Sequence, residues 1–424
     1  MSLSKFFLQT LFAFLLLIMP TIALSPPGEK AKYDVSDFFG YYVQTRLLVE
    51  GRFSDSYDMP KMEKAMYEIF PVYKEEERHN FIGLGTPQPT IFLLPLAVIP
   101  ASVSYFFGVF CVLLTISLSL PLLADVFAIS EKQYKLAVPC IALSGPVWEV
   151  VRVTKPTVFI LLGFALALWF LKSPRFKNSK FKDLWAALAF QGWTFKPHEI
   201  MPLLAICFGA RQFKFIFWLI GFTVAITLIT LPIMGVDTYI KWYETLKVNM
   251  MHPEFAAPQL EPTLRGQLLR FDMVHLATIN HICEFVFAFV MLALTFLGNL
   301  FRNHKDYFYL VVLSLPIGFV TSLHSYSYDL ILLIPSCFAF INLPYVKSMS
   351  RSLRWTSYIV MALCLLSYEL PIYTIIHYFF VQPNKWIINP LFISLAVLSV
   401  LFLAVAVASA MDKKQQAGLA AVDT

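Results

Sequence analysis

The sequence predicts an all-α, polytopic integral membrane protein with about ten to twelve membrane helices. Three observations lead there. Of 424 residues, 58% are hydrophobic and only 14% are charged, whereas a soluble domain carries roughly 25% charged residues and could not cover itself from this inventory. The apolar runs are long and unbroken, which excludes an outer-membrane barrel, whose strands alternate over about ten residues. The charges, 33 Lys and Arg against 27 Asp and Glu for a net +6, fall between those runs. An excess of bases spread over connectors is not a nucleic-acid footprint, so no nucleic-acid partner is expected.

Residues 5 to 24 form an apolar run behind a single Lys, long enough to span, and read as an uncleaved signal anchor or a cleaved signal peptide. The embedded remainder gains nothing from losing its first helix, which favours the anchor. Residues 25 to 89 are the first long polar stretch, with 11 acids against 8 bases. The later short polar segments are basic: Lys172, Arg175, Lys177, Lys180 and Lys182; Arg211 and Lys214; Arg302 and Lys305; Lys347, Arg351 and Arg354; Lys413 and Lys414. The positive-inside rule puts these in the cytoplasm and makes 25 to 89 an outer loop.

Under that constraint, crossings are expected near 102–127, 135–151, 156–172, 213–234, 275–299, 308–322, 330–344, 356–378 and 387–410. Residues 90 to 100 lie between prolines, and 184 to 210 carry Lys196, Pro197, His198 and Glu199 at their midpoint with basic flanks on both sides. A chain broken at membrane depth is tolerated where it lines a cavity or packs on protein, so both read as re-entrant or half-spanning pieces beside a site. Residues 235 to 273 form a second outer loop, 411 to 424 a cytoplasmic tail, and the whole of 1–424 a single domain. Six cysteines all fall in apolar segments without metal-ligand spacing, so neither a disulfide framework nor a metal or other cofactor is expected.

Ser36 and Asp37 open a helix in which Phe38, Tyr41, Tyr42, Thr45, Leu48 and Val49 repeat at helical spacing as one apolar stripe, a pattern that predicts an amphipathic helix lying along the membrane surface. Asp37 is ordinarily a favourable charge at a helix N-terminus. Asp34, three residues earlier, could share its face and point with it at a substrate.

The segment DFFGYYVQTRLLVEGRFSDSYD (37–58) resembles the opening signature of the polyprenyl-phosphate-sugar-dependent glycosyltransferases of multi-span type C architecture, particularly glycosyltransferase family 87. Later pieces follow in the same order: LLPLAVIP (93–100), KPTVFILLGFALALWFLK (155–172), AALAFQGWTFKPHEIMPLL (186–204), EPTLRGQLLR (261–270) and TSLHSYSYDLILLIP (321–335). The chain departs from the family pattern at GLGTPQPT, where an aromatic-Pro-Pro run is usual, and at Leu323, where a Pro often precedes the His. The resemblance implies transfer of a sugar, commonly mannose, from a polyprenyl-phosphate donor to a hydroxyl of a lipid or glycan acceptor on the outer face of the cell membrane. It further implies inversion, no metal, and Asp37 as general base. A carboxylate suits that role, since the attacking hydroxyl must lose a proton while the phosphate leaves already ionised.

Cations at membrane depth are costly and therefore functional candidates. Arg265, Lys196, Lys155 and His324 are candidates for the donor phosphate and sugar, with Asp34, Asp58, Tyr41 and Asp329 as secondary site residues. The ordinary alternative for each cation is snorkelling or pairing with Glu149 or Glu199. No Walker, GxGxxG or DxD pattern in a suitable setting points to a nucleotide-sugar donor. Two other classes compete: a transporter or flippase of a lipid-linked substrate, which predicts inverted-repeat symmetry, and a scaffold, which predicts no polar site.

Overall fold

The computed structural model describes residues 3–24, 36–70, 86–251, 261–271, 275–303, 307–322, 325, 327–366 and 390–422. Among these, every regular element is a helix. The first apolar run is α1 (Leu3–Leu24). It is followed by α2 (Ser36–Val49), α3 (Met59–Ile69) and the single turn α4 (Leu94–Ala97), then by α5 (Ala101–Val126). α1 lies against α5 and against α6 (Glu131–Ala142), and Thr10 joins Tyr134 by a hydroxyl pair at 2.5 Å.

The expected crossing 135–151 is divided. α6 ends at Ala142 and α7 (Gly145–Arg152) begins afresh after Leu143 and Ser144. Pro139 inside α6 and Pro146 at the start of α7 each remove a helical donor, which is why an apolar run of this length does not continue as one rod. α8 (Thr157–Lys172) follows as an unbroken apolar helix.

Residues 182 to 210 form the broken piece that the midpoint charges predicted. α9 (Lys182–Ala189) gives way to 3-10 turns at Phe190–Phe195 and Pro197–Ile200, and α10 (Met201–Gly209) leads back. The ring pairs Phe170–Trp185, Phe164–Phe190 and Phe159–Phe195, at 6.5, 5.7 and 5.8 Å, step this segment antiparallel along α8. Lys182 at its start and Gln212 just past its end line one cleft together with Lys172. The segment therefore enters and leaves at the Lys172 end of α8 and turns near the Thr157 end. The α-helical parts of the two limbs, α9 and α10, are only about 12–14 Å long, far short of a ~30 Å hydrocarbon core.

Next come α11 (Phe213–Met234), α12 (Val236–Met251), α13 (Leu264–Phe271) and α14 (Leu276–Leu300). A proline-punctuated pair follows, α15 (Tyr307–Leu313) with α16 (Leu315–Thr321), then a 3-10 turn at Ser327–Leu333 that runs into α17 (Ile334–Asn342). α18 (Pro344–Ser348), α19 (Arg351–Leu366) and α20 (Pro390–Val422) complete the described chain.

Among the described residues, four helices are long and apolar enough to cross a membrane by themselves: Val103–Val126, Phe213–Met234, Leu276–Leu300 and Phe392–Ser409. The ten to twelve expected from hydropathy are not matched by helices of that length among the described residues, because several apolar runs are shortened or broken by prolines, as at Pro316 and Pro335. α11 and α14 leave most of their apolar surface exposed, as a lipid-facing helix does.

α2 differs from the amphipathic surface helix expected. Phe38, Tyr42, Thr45 and Leu48 are buried as the stripe requires, but so are Val43, Gln44 and Leu47, while Val49 is half exposed. Val43 and Leu47 pack on Met62, Ala65 and Met66 of α3, and Phe38 meets Tyr105 of α5 at 5.3 Å. α2 is thus clamped on two sides, and α3 is the amphipathic member, with Lys61, Lys64 and Glu68 facing out. The two loops assigned to one side do meet: Thr245 of α12 donates to the Tyr57 carbonyl at 2.7 Å, and Leu48, Phe53, Tyr57 and Met234 share a core.

Candidate active site

Asp329, in the 3-10 turn before α17, is completely buried between α7 and α8. One of its carboxylate oxygens accepts from Thr157 at the first turn of α8, at 2.9 Å, and the other from the Lys196 ammonium at 2.6 Å. Lys196 stands at the tip of the re-entrant segment and also donates to Glu199 at 3.3 Å. Glu199 is completely buried, and its second oxygen has no hydrogen-bond partner. Two carboxylates and one cation are therefore collected from three separate segments. A buried cluster of that kind is stable only when its charges are paired and bonded.

The first turns of α2 border this cluster. Tyr105 donates to the Arg152 carbonyl at 3.0 Å, which ties α5 to the turn that follows α7. Gly108 of α5 is closely approached by Thr154 and Phe38. Lys155, in the same turn and only 6% exposed, holds its ammonium 5.7 Å from the centre of the Tyr41 ring. Tyr41 also lies near Lys196. Asp37 lies one helical turn before Tyr41 on α2, a spacing that puts the two on one face; the Asp37 side chain lies outside the described residues.

Arg265 sits elsewhere in the assembly. The Thr263 hydroxyl caps α13 by accepting from the Gly266 amide at 3.0 Å, which fixes the turn that carries it. The buried Arg265 guanidinium donates to Asn280 of α14 at 2.8 Å and lies 3.7 Å from the fully buried Glu261. α13 borders α16, and α16 borders the turns that bear Glu199 and Asp329, so one short helix separates Arg265 from the Lys196 cluster. Asp58 joins a surface cluster instead, 3.6 Å from Lys61, which also binds Asp55. Burial raises the Asp55 carboxyl, but the bonds and charges of Lys61 and Arg52 outweigh it and hold the group below the usual carboxylate range. Asp34 and His324 lie outside the described residues; Ser322 and Ser325, which flank His324 in sequence, are both buried.

Of the residues singled out from sequence, the structure brings together Lys196 with Asp329 and Tyr41 with Lys155, Tyr41 also lying near Lys196. It adds Thr157 and Glu199. Glu199 carried a signal, being an acid three residues from Lys196 at membrane depth, whereas Thr157 carried none. No group of three or more His, Cys, Asp or Glu side chains among the described residues could hold a metal ion.

A helical protein with membrane-spanning apolar helices and a charged cluster where a broken segment turns beside α8 defines the class: a membrane protein built around a polar site. The family model of glycosyltransferase family 87 matches residues 84–323, more than half of the chain. The chain belongs to that family and is a glycosyltransferase. No curated protein and no solved structure matches it.

Proposed function

We propose that the protein transfers a hexose, mannose by the family resemblance, from a polyprenyl-phosphate donor to a hydroxyl of a lipid or glycan acceptor at the outer face of the cytoplasmic membrane, with inversion. Asp37 is the general base of this reading. One observation carries it: Tyr41 stands against Lys155 and within electrostatic reach of Lys196, one turn from Asp37, so a base and a cation occupy one neighbourhood. Inverting transfer needs those two elements together, a carboxylate to take the hydroxyl proton and a cation to hold the departing phosphate.

Within this reading the cations divide the work. Lys196 already donates to two buried carboxylates, so its bonds are taken up within the cluster. Lys155, on the α2 side, is the donor-phosphate residue, and Lys196 with Asp329 positions the re-entrant tip. Arg265 and His324 are the further donor-binding candidates, from the second outer loop and from the connection ahead of Asp329.

The test is Asp37→Asn, assayed with radiolabelled polyprenyl-phosphate sugars and a crude lipid extract. Asn keeps the size and the capping ability but cannot take the proton. Loss of a general base slows turnover by about 10² to 10⁴-fold, whereas loss of a helix-terminal charge costs about 0.3–1 kcal/mol of stability and leaves turnover nearly intact. Near wild-type turnover would return Asp37 to a structural role.

A further inference from the structure

α8 carries Thr157 in its first turn and Lys172 in its last, about 22 Å apart along the axis. At the Lys172 end lies a second polar site, remote from the one described above. Lys172, Lys182, Asp183, Gln212 and Tyr307 surround a cleft. Its chemistry is graded. Leu168 and Phe164, one and two turns further in from Lys172 on the same face of α8, line its depth together with apolar side chains of α10, α11 and α15. The Lys172 ammonium is held 4.8 and 4.6 Å from the ring centres of Tyr307 and Phe308, which orients it at the mouth.

We propose that this cleft binds a phosphate-bearing lipid, with the phosphate against Lys172 and Lys182 and the first part of the chain along Leu168 and Phe164. Two lysines against the single carboxylate of Asp183 give the lining a net charge of +1, and the Gln212 amide and Tyr307 phenol supply neutral donors for the remaining oxygens. A charged mouth that passes within two turns into an apolar floor matches a head group joined to a hydrocarbon chain. It suits neither a free anion, which has no use for the floor, nor a neutral sugar, which has no use for the lysines. The flanking connectors add Arg175, Lys177, Lys180, Arg211 and Lys214, and an excess of bases belongs on the leaflet rich in anionic lipid. The site is independent of the transfer reaction proposed above.

The full-length protein in detergent is mixed with phosphatidylglycerol, undecaprenyl phosphate or phosphatidylcholine, and the lipid it retains is read by native mass spectrometry. Phosphatidylglycerol is expected to be retained several-fold more than phosphatidylcholine. Retention of undecaprenyl phosphate alone would assign the same phosphate-lipid chemistry to the sugar carrier rather than to bulk lipid. The double variant Lys172→Gln/Lys182→Gln should need roughly tenfold more phosphatidylglycerol for equal occupancy, and Asp183→Asn should need less. Equal retention of all three lipids by the wild-type protein, a comparison that depends on no variant's folding, overturns the proposal.

Discussion

Lys196 answers to two carboxylates, and the charge count around it decides how each substitution behaves. Replacing it with Met leaves Asp329 and Glu199 buried without the cation that both contact, a loss of about 3–5 kcal/mol for an orphaned buried charge. Asp329→Asn leaves Lys196 and Glu199 as a balanced pair, and the amide oxygen can still accept from Thr157, so a smaller loss of about 1–3 kcal/mol is expected. Thermal unfolding of the detergent-purified variants should therefore rank Lys196→Met well below Asp329→Asn; the opposite order would show that the carboxylates rely on other cations. Lys196 and Asp329 could be singled out from sequence one at a time, because an ionisable group in an apolar run is expensive wherever it falls. Their partnership across 133 residues could not, since nothing in local periodicity records which re-entrant tip meets which turn.

The re-entrant segment depends on close approach to α8. Gly192 presses its Cα face against the Phe159 carbonyl of α8, and a Cβ there would come 2.5 Å from that oxygen, a backbone atom that cannot swing aside. Gly192→Ala should cost about 1–3 kcal/mol of stability, as overpacking typically does. It should also lower turnover more than an Ala at the open Gly221 of α11, where nothing lies within 4 Å. Equal activity in the two variants would show that displacing the tip does not reach the site. The sequence disclosed this segment through its basic flanks and central Lys-Pro-His-Glu. It was less informative about α2, whose stripe from Phe38 to Leu48 was visible while the second buried face was not. Val43 and Leu47 find their partners on α3, 15 to 23 residues later, and a periodicity count on one helix has no access to a neighbour's surface.

Over the whole molecule, two groups of elements separate along the axis of α8. At the Thr157 end are α2, the Lys155 turn and the Lys196–Asp329 pair. At the other end are Lys172, Lys182, Gln212 and Tyr307, brought together from three connections. The segment before α3 packs against α12 and the end of α11 through Tyr57, Thr245 and Met234, so whichever side one of them occupies the other must share. In the orientation we propose, the basic connectors hold the cytoplasmic face under the positive-inside rule, with α2, α3 and α12 on the outer side. Single cysteines placed in a cysteine-free background test this directly. Ser54, on the 3-10 turn between α2 and α3, should react with a membrane-impermeant maleimide in intact cells. Ser179, in the basic stretch between α8 and α9, should react only after the membrane is opened. Reversal at both positions would invert the molecule and move the proposed transfer reaction to the cytoplasmic face, where the donor's sugar would have to be presented from the opposite leaflet. Reaction at both from one side would contradict the separation along α8 itself.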